Sequence, residues 1–468
     1  MDILDRKSES WWSRSCGGFD VLRQAIPLII SSGSISLMNF TDRMFLMWYD
    51  PDSMTASMQG IMLFWSAISI PFAVTTFVTT FVAQYYGSGN NQRIGAIVWQ
   101  GIWIGIMVMP VLFFIEPYLI QLFVLFRHGE NLIKLESLYF HYILLGCAAT
   151  ISGEAAAAFF RGRGKMQIEM YNNLFCVVLN IFLDYCMIFG KCGFQENGLL
   201  GAAIATMISQ WVRLIIYVTL IFLTDMKEKR YNILKGMKPD FRLMGRLLYY
   251  GMPSSSYTFI DTATFTLFIL IIGCLGEAAR NATTIAFTMN SLTFIPLTGI
   301  GIVVTSMVGN QLGNNRPDLA NRATNTAFVI GSIYTGFFAI LFLVVPDLLL
   351  SAFAIFSDAD EFEAIRGLTV ILLRFIAVYI FFDACAFIAS SALRGAGDTI
   401  FVMRVVFTYA PLLPIFCIMG IHFFGFGLMW CWLILTLGVF VYFVCFMLRF
   451  CSKKWESVRV IEKELQKK

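Results

Sequence analysis

Charged residues are scarce in this 468-residue chain: Asp, Glu, Lys and Arg together make up 14% of it. An ordinary soluble protein carries about 25%. Hydrophobic residues account for 58% of the chain and aromatic residues for 16%. Soluble domains of this total length would need far more surface charge, so the composition excludes them, together with disordered and nucleic-acid-binding proteins. What remains is a protein that crosses a membrane many times.

The motifs of common enzyme and metal sites are also missing. The chain has only three histidines, and its eleven cysteines form no C-x-x-C pair. It contains no H-E-x-x-H, no G-x-S-x-G and no phosphate-binding G-x-x-x-x-G-K-[ST], which removes the basis for a membrane-embedded enzyme or for nucleotide-driven transport. We therefore expect no enzymatic activity, no cofactor and no metal beyond Na⁺. Cys186 and Cys192 are the one pair to consider as a disulfide.

Long apolar stretches dominate the sequence. Twelve of them have the length of a membrane-crossing helix, roughly 20 residues, at 24–48, 58–82, 94–116, 136–159, 167–190, 199–223, 246–272, 283–308, 321–346, 364–391, 399–422 and 426–449. Strand-type alternation is absent, which predicts an all-α polytopic membrane protein.

One long connection, 225–245, divides the chain near its middle and is rich in Lys and Arg. It predicts a cytoplasmic linker between two six-helix bundles, 24–224 and 246–449. A cytoplasmic segment, 1–23, precedes the first bundle. The cytoplasmic tail, 450–468, is expected to be an interfacial helix or to be solvated.

Basic residues are distributed unevenly among the connections. Most of them fall in 1–23, in the loop with Arg161, Arg163 and Lys165, in 225–245 and in the tail, which share one side if the spans alternate. Cytoplasmic connections of membrane proteins carry an excess of Lys and Arg. Both termini are therefore predicted to be cytoplasmic, with the chain in the plasma (inner) membrane.

The two halves of the chain repeat several features in the same order. The matching positions are Pro27 and Pro253, Pro71 and Pro296, Gly87 and Gly313, and the sequences Arg161-Gly-Arg-Gly164 and Arg394-Gly-Ala-Gly397. Many secondary transporters consist of two such repeats, with the substrate path between them. We expect the two bundles to be related by pseudo-two-fold symmetry, and the four prolines are candidate hinges.

Six carboxylates fall within the predicted spans: Asp42, Glu116, Glu154, Asp184, Asp261 and Asp383. A charge at the centre of a membrane helix costs roughly 2.5–3.5 kcal/mol, so each is a candidate functional residue. Asn180 and Asp184 lie one turn apart on one face of their helix. Ala202 and Thr206 have the same spacing on the next one. Together with Asp42 they are expected in the outer half of the bilayer, where an all-oxygen pocket could hold a proton or Na⁺.

Several motifs together resemble the multidrug and toxic compound extrusion (MATE) family, in its bacterial form, over essentially the whole chain. They are Gln24-Ala-Ile-Pro27, the Asp late in the first span, Ala83-Gln-Tyr-Tyr-Gly-Ser-Gly89, Asn180-Ile-Phe-Leu-Asp184 followed by Ile188-Phe-Gly190, Gly198-Leu-Leu-Gly-Ala-Ala-Ile-Ala-Thr206, and Asp383 ahead of Leu393-Arg-Gly-Ala-Gly-Asp-Thr399. Each motif alone would be a weak signal.

The resemblance implies a V-shaped pair of six-helix bundles that works by alternating access. It implies export of small-molecule organic cations and drugs in exchange for H⁺ or Na⁺, by a protein that contacts membrane lipid and is expected to be a monomer. The family's coupling-ion site in the N-terminal bundle maps to Asp42, Asn180, Asp184, Ala202 and Thr206. A cation or substrate site in the C-terminal bundle maps to Asp261 and Asp383. The chain carries both sets, and Glu154 is a further candidate.

Two alternatives remain open at this point. Arg43 follows Asp42, where the family usually has a small or hydroxylated residue, and pairing with Arg43 would give Asp42 a fixed charge; Arg374 offers Asp383 a similar partner. The second alternative is a flippase for a lipid-linked precursor, which would favour a basic cavity. Because the charges within the spans are mostly acidic, they favour a cationic cargo.

Overall fold

The computed structural model describes residues 10–125, 129–354 and 359–462. Throughout these ranges the regular secondary structure is helical. Residues 1–9 of the predicted N-terminal segment and 463–468 of the predicted tail lie outside them. The helices in chain order are α1 (Gly18–Tyr49), α2 (Pro51–Thr76), α3 (Val78–Gly87), α4 (Gln92–Leu125), α5 (Glu130–Leu144), α6 (Cys147–Arg161), α7 (Met166–Ile188), α8 (Gly198–Glu228), α9 (Ile233–Gly236), α10 (Phe241–Gly273), α11 (Glu277–Gly313), α12 (Pro317–Val344), α13 (Pro346–Ala354), α14 (Ala359–Ala396), α15 (Thr399–Tyr409), α16 (Leu412–Phe424) and α17 (Leu428–Cys451).

The number of membrane spans agrees with the sequence. In the described ranges, eleven helical segments are long and apolar enough to cross a membrane, counting α2 with α3 and α15 with α16 as single spans. The pair α5 and α6 forms a twelfth, bent by 41° at Leu145–Gly146. The expectation of an all-α polytopic membrane protein with twelve transmembrane helices is thus confirmed. The helices extend beyond the apolar stretches, because several connections are helical as well.

Local sequence signals explain individual helix ends. Asp50 is the N-cap of α2, where its carboxylate accepts a hydrogen bond from the Ser53 N–H at 2.9 Å. Pro51 occupies the first helical position, which needs no N–H donor. The hydrogen bonds that the Asp50 carboxylate accepts from the Ser53 hydroxyl and from the Ser53 N–H lower the pKa of Asp50. The turn between α1 and α2 is therefore short and fixed, and it sets the end of the helix that carries Asp42.

The four repeated prolines lie inside continuous helices. Pro27 is in α1, Pro71 in α2, Pro253 in α10 and Pro296 in α11. A proline inside a helix removes one backbone hydrogen bond and weakens the helix locally. Their role as hinges stays a prediction.

The chain folds into two compact units whose boundaries fall within helices. Of the described residues, those within Ile26–Ser255 and those from Val460 to Glu462 form the N-terminal unit. Those up to Ala25 and those within Ser256–Arg459 form the C-terminal unit. The boundary in α1 is next to Pro27, and the boundary in α10 is two residues beyond Pro253. The bundle limits drawn from the sequence, 24–224 and 246–449, stay a prediction.

The basic connection between the two halves is ordered against the N-terminal unit. Tyr231 and Ile233 are buried, and the Asp225 carboxylate accepts hydrogen bonds from both of their N–H groups, at 2.8 and 3.0 Å. The Gly95 N–H of α4 donates to the Tyr231 carbonyl at 3.1 Å. A Cβ on Gly95 would lie 2.5 Å from that carbonyl oxygen, so this close approach requires glycine. The connection therefore packs as part of the unit.

The end of the described chain is also buried rather than solvated. After α17 and a 3₁₀ turn at Lys454–Ser457, the side chains of Val460 and Ile461 enter the core of the N-terminal unit. The Val460 N–H donates to Oε1 of Gln84 at 2.9 Å. Glu462 forms an ion pair with Arg246 at 2.7 Å. Both sequence-based readings of this segment, an interfacial helix and a solvated tail, are wrong for Val460–Glu462, because its apolar side chains are covered by the unit's own helices.

We expect a chain ending at Arg459 to be less stable than the full chain. Loss of Val460 and Ile461 would expose the core they cover and leave the buried Gln84 side chain with one hydrogen bond fewer. Thermal unfolding of the purified protein in detergent should show a melting temperature lower by several degrees. A chain ending at Glu462 is the matched control and should melt like the full chain; equal melting of all three would contradict the prediction.

Candidate functional site

Two acidic side chains from different helices meet in the N-terminal unit. Asp42 lies on α1 and Asp184 on α7, and their carboxyl groups are close electrostatic neighbours. Asp184 is 0% exposed, as is Asn180 one turn earlier on α7. Asp42 is half-buried. The structure thus brings Asp42 and Asp184 together, and the buried Asn180 lies one turn from Asp184 on the same helix.

The polar atoms of this group lack protein partners. Oδ1 of Asp42, both carboxylate oxygens of Asp184, and Oδ1 and Nδ2 of Asn180 are buried without a hydrogen bond to any described residue. Buried polar atoms in proteins are nearly always bonded. Two carboxylates cannot hydrogen-bond to each other unless a proton lies between them, and they repel when both are ionised. The group is therefore arranged to receive a proton or a small cation.

The other two predicted members of the group lie on α8, which packs closely on α7. A Cβ on Gly201 would lie 2.6 Å from the Met187 carbonyl oxygen, so only glycine allows the two helices to come this near. The two helices run antiparallel from this contact. Measured from the Gly201–Met187 contact at about 1.5 Å per residue, Thr206 lies roughly 7.5 Å along α8. This height falls between those of Asp184 and Asn180 on α7. Thr206 and Ala202 are both buried.

Tyr139 on α5 is a further neighbour of the two acids, and no pattern in the sequence indicates it. Its side chain is 5% exposed and lies near both Asp42 and Asp184, with which it interacts electrostatically. Its ring packs on Gly60 of α2, where a Cβ would lie 2.7 Å from Cδ1 of Tyr139. The chain has 17 tyrosines and this one carries no spacing signal. Only the tertiary packing of α2 against α5 shows that its hydroxyl group belongs to the site.

Arg43 is exposed, although it lies close enough to Asp42 to interact with it electrostatically. It projects from α1 in a different direction from Asp42, as expected for adjacent helical positions. Asp42 thus faces Asp184 in the interior, with Arg43 at the outside. The departure from the family pattern does not turn the Asp42 carboxylate away from the other acid.

Glu154, the further candidate, is engaged elsewhere in the N-terminal unit. Its carboxylate pairs with Arg161 at 2.5 Å, and Arg161 also pairs with Glu169 at 2.5 Å. All three side chains are buried, and Arg213 is a further electrostatic neighbour of Glu154. Buried carboxylates with basic partners are compensated, and removal of a partner is expected to be costly. This pairing favours a structural role for Glu154.

Glu116 is the last of the four acids within the predicted spans of the first half, and it is paired with a histidine. Its Oε1 lies 2.8 Å from Nδ1 of His141 on α5. Glu116 is buried, whereas the His141 side chain is 49% exposed.

Cys186 and Cys192 are both free thiols, so the structure contains no disulfide at the pair considered from the sequence. In the described ranges, no cluster of three His, Cys, Asp or Glu side chains is suited to a metal ion.

A second acidic pair lies in the C-terminal unit. Asp261 on α10 and Asp383 on α14 are electrostatic neighbours, and Tyr257, one turn before Asp261, is near both. Asp261 is exposed and Asp383 half-buried. Arg374, the alternative partner for Asp383, is exposed on α14. The structure therefore groups the two predicted acids with an aromatic ring, a combination that suits an organic cation.

Comparisons with known proteins give the same picture over nearly the whole chain. The family model described as MatE matches residues 27–186 and 253–419. A probable multidrug resistance protein NorM from Thermotoga maritima is 26% identical over 449 residues, which cover 95% of this chain and 94% of that protein. A protein of the same description from Burkholderia mallei is 26% identical over 381 residues, 81% of each chain.

Solved structures share the fold. A transporter of the MOP superfamily from Pyrococcus furiosus superimposes with a TM-score of 0.82 at 19% identity, covering 93% of this chain and 95% of that one. The eukaryotic MATE transporter AtDTX14 gives a TM-score of 0.79 at 18% identity, covering 96% of this chain and 97% of that one. At this identity the structural likeness establishes the architecture alone.

We expect Arg161→Ala to destabilise the N-terminal unit strongly. The substitution would leave Glu154 and Glu169 buried without their shared partner, at a cost of about 3–5 kcal/mol. Thermal unfolding of the purified protein measures the loss. Arg280→Ala, which removes an exposed arginine beside Glu277, is the control and should stay within about 0.5 kcal/mol of the unsubstituted protein. If both variants melt alike, Arg161 does not compensate the buried acids.

Proposed function

The chain belongs to the MatE family of membrane transporters, and on this basis we propose that it is a secondary active antiporter that exports organic cations and drugs. Export is driven by H⁺ or Na⁺, which binds in the N-terminal unit while the cargo uses the acidic pair of the C-terminal unit. Two relatives that match over most of their length are described as probable multidrug resistance proteins, which supports a broad range of cargo.

The observation that carries this proposal is the contact between Asp42 and Asp184. The half-buried Asp42 and the fully buried Asp184 have oxygens with no hydrogen-bond partner among the described residues, as does the amide of Asn180 one turn along α7, so a positive charge would complete the site. A proton would bridge the two carboxyl groups, and Na⁺ would take the same oxygens together with the hydroxyl of Thr206. Tyr139 adds a second hydroxyl close to the two acids.

Coupling requires that the ion and the cargo favour different states of the protein. An occupied Asp42–Asp184 site removes the repulsion between the two acids, so occupancy stabilises the arrangement in which they touch. Loss of the ion favours their separation. Because α1 carries Asp42 and also Pro27, a change at the acid pair acts on the helix that contains a candidate hinge. This link lets ion binding bias the conformation that accepts cargo.

The C-terminal unit supplies the chemistry for a cationic cargo. Asp261 is accessible and has Tyr257 one turn away, and Asp383 has Tyr379 one turn away on α14. Aromatic faces and carboxylates bind organic cations without demanding one shape. A lipid-linked pyrophosphate would be repelled by these acids, so the flippase alternative is less well supported.

The basic connections suggest the orientation. The segment 225–245, the loop after α6 and the C-terminal tail carry most of the Lys and Arg outside the spans, which favours both termini in the cytoplasm. We propose that the protein works in the plasma (inner) membrane, as a monomer.

We expect Asp42→Asn and Asp184→Asn each to abolish efflux of a fluorescent organic cation from cells. Either change removes a proton-binding or cation-binding carboxylate and leaves a side chain of similar shape. Efflux is measured together with the amount of protein in the membrane. Asp52→Asn, at an exposed acid in the first turn of α2, is the control and should transport normally. Normal efflux in both Asp42 and Asp184 variants would refute the ion site.

The coupling ion can be identified with purified protein in proteoliposomes. We expect uptake of the fluorescent cation to be driven by an imposed pH gradient or by an imposed Na⁺ gradient, and the Asp184→Asn variant to lose the response to whichever ion drives it. Liposomes without protein are the control. Transport that proceeds equally without either gradient would exclude antiport.

A further inference from the structure

Arg394 lies inside the C-terminal unit, where the sequence analysis had assigned it to a connection. It occupies the last turn of α14, is half-buried, and donates a hydrogen bond from Nη2 to Oγ of Ser391 at 3.1 Å. Its Cζ is 5.3 Å from the ring centroid of Tyr257 and 5.9 Å from that of Phe387. The guanidinium group therefore lies between two aromatic rings within the unit.

The turn that carries Arg394 is fixed against α11. A Cβ on Gly395 would lie 2.5 Å from the Thr305 carbonyl oxygen, so the two backbones are in direct contact. The Thr305 hydroxyl donates to the Ser391 carbonyl at 3.0 Å. Gly301 of α11, which has no side chain, also leaves room for the ring of Phe387 on α14. Since its helix and its aromatic neighbour are both held, the cationic group of Arg394 has a defined position.

The Arg394 guanidinium lies on the Asp261 side of the acidic pair Asp261 and Asp383. Tyr257, whose ring lies next to the guanidinium, is one turn before Asp261 on α10, and Arg394 and Asp261 interact electrostatically. Asp383 is about 16 Å from Arg394 along α14, by the rise of a helix. Asp261 is also the charged neighbour of Asp383. The three groups thus follow in the order Arg394, Asp261, Asp383.

We propose that Arg394 is a tethered counter-cation of Asp261 that competes with the transported cation for this carboxylate. It is a positioning and specificity residue, and its role rests on the proposed function of Asp261 and Asp383 as a cation site. With Arg394 in place the three groups carry one net negative charge. One monovalent organic cation therefore neutralises the site. Its binding is weak enough for the cation to be released again.

The same arrangement restricts the cargo. A dication would encounter the fixed guanidinium near Asp261, whereas a monocation can be shared between Asp383 and the ring of Tyr257. Arg394 therefore favours singly charged cargo and speeds its release, because its fixed charge partly neutralises Asp261 and weakens the attraction of the site for a cation.

Equilibrium binding of tetraphenylphosphonium, a monovalent organic cation, to the purified full-length protein tests the proposal. We expect Arg394→Gln to bind this probe about tenfold more tightly than the unsubstituted protein. Arg394→Lys keeps the charge and should restore weaker binding, which a purely structural role of the arginine would not predict. Asp261→Asn should weaken binding, because it removes a negative charge and leaves the charge of Arg394 uncompensated.

The stability of the same variants gives a second measurement if Arg394→Gln alone folds poorly. Asp261→Asn leaves the arginine without its carboxylate, so we expect the double variant Asp261→Asn/Arg394→Gln to melt at a higher temperature than Asp261→Asn alone. A double variant that is no more stable than Asp261→Asn would overturn the pairing.

The outcomes separate this proposal from the proposed function. If Asp261→Asn weakens probe binding while Arg394→Gln, in a folded protein, fails to tighten it, the cation site stands and the role of Arg394 is refuted. If the unsubstituted protein does not bind the probe, or Asp261→Asn binds it equally well, the cation site itself fails. The melting temperatures then still decide whether Arg394 and Asp261 are a pair.

Discussion

An ionised group inside an apolar helix bundle has to be neutralised, and this requirement organises the polar interior of the protein. Where the chain supplies a basic partner, the acid is satisfied: Arg161 binds Glu154 and Glu169, and Arg449 binds Asp398 at 2.7 Å. Where it does not, Oδ1 of Asp42 and both carboxylate oxygens of Asp184 have no hydrogen-bond partner among the described residues. The desolvation cost is the same in kind at both places, and in the proposed function a bound proton or cation offsets it at the second.

This distinction separates the acids paired with arginine from the proposed ion-binding acids more clearly than position along a span does. Glu154 and Asp184 are both deep in their helices and both buried. Glu154 pairs with Arg161, which lies seven residues later, about two turns along the helix. Asp184 instead has another acid, Asp42 of α1, as its neighbour. The two acids therefore have opposite electrostatic environments, although their hydropathy context in the sequence is similar.

The sequence predicted most of the architecture because a bilayer imposes a strong pattern. Apolar stretches of fixed length locate the helices almost without regard to tertiary contacts. The grouping of Asn180 with Asp184 followed from one-turn spacing alone. Contacts between distant helices were beyond the sequence: nothing in the local pattern joins Tyr139 to Asp42, or Arg394 to Asp261. The buried state of Val460 and Ile461 also depended on a tertiary surface, since a short apolar segment after a charged turn is equally typical of a membrane-surface helix.

Each unit contains a segment from the other half of the sequence, and this has a consequence for biosynthesis. The segment around Cys16 belongs with helices of the second half, and its carbonyl accepts a hydrogen bond from Thr326. The core of the N-terminal unit includes Val460 and Ile461. Domains usually complete folding in the order in which the ribosome delivers them. Here the segment around Cys16 is synthesised some three hundred residues before its partner Thr326, and the core of the N-terminal unit is complete only after the helices of the second half have been made.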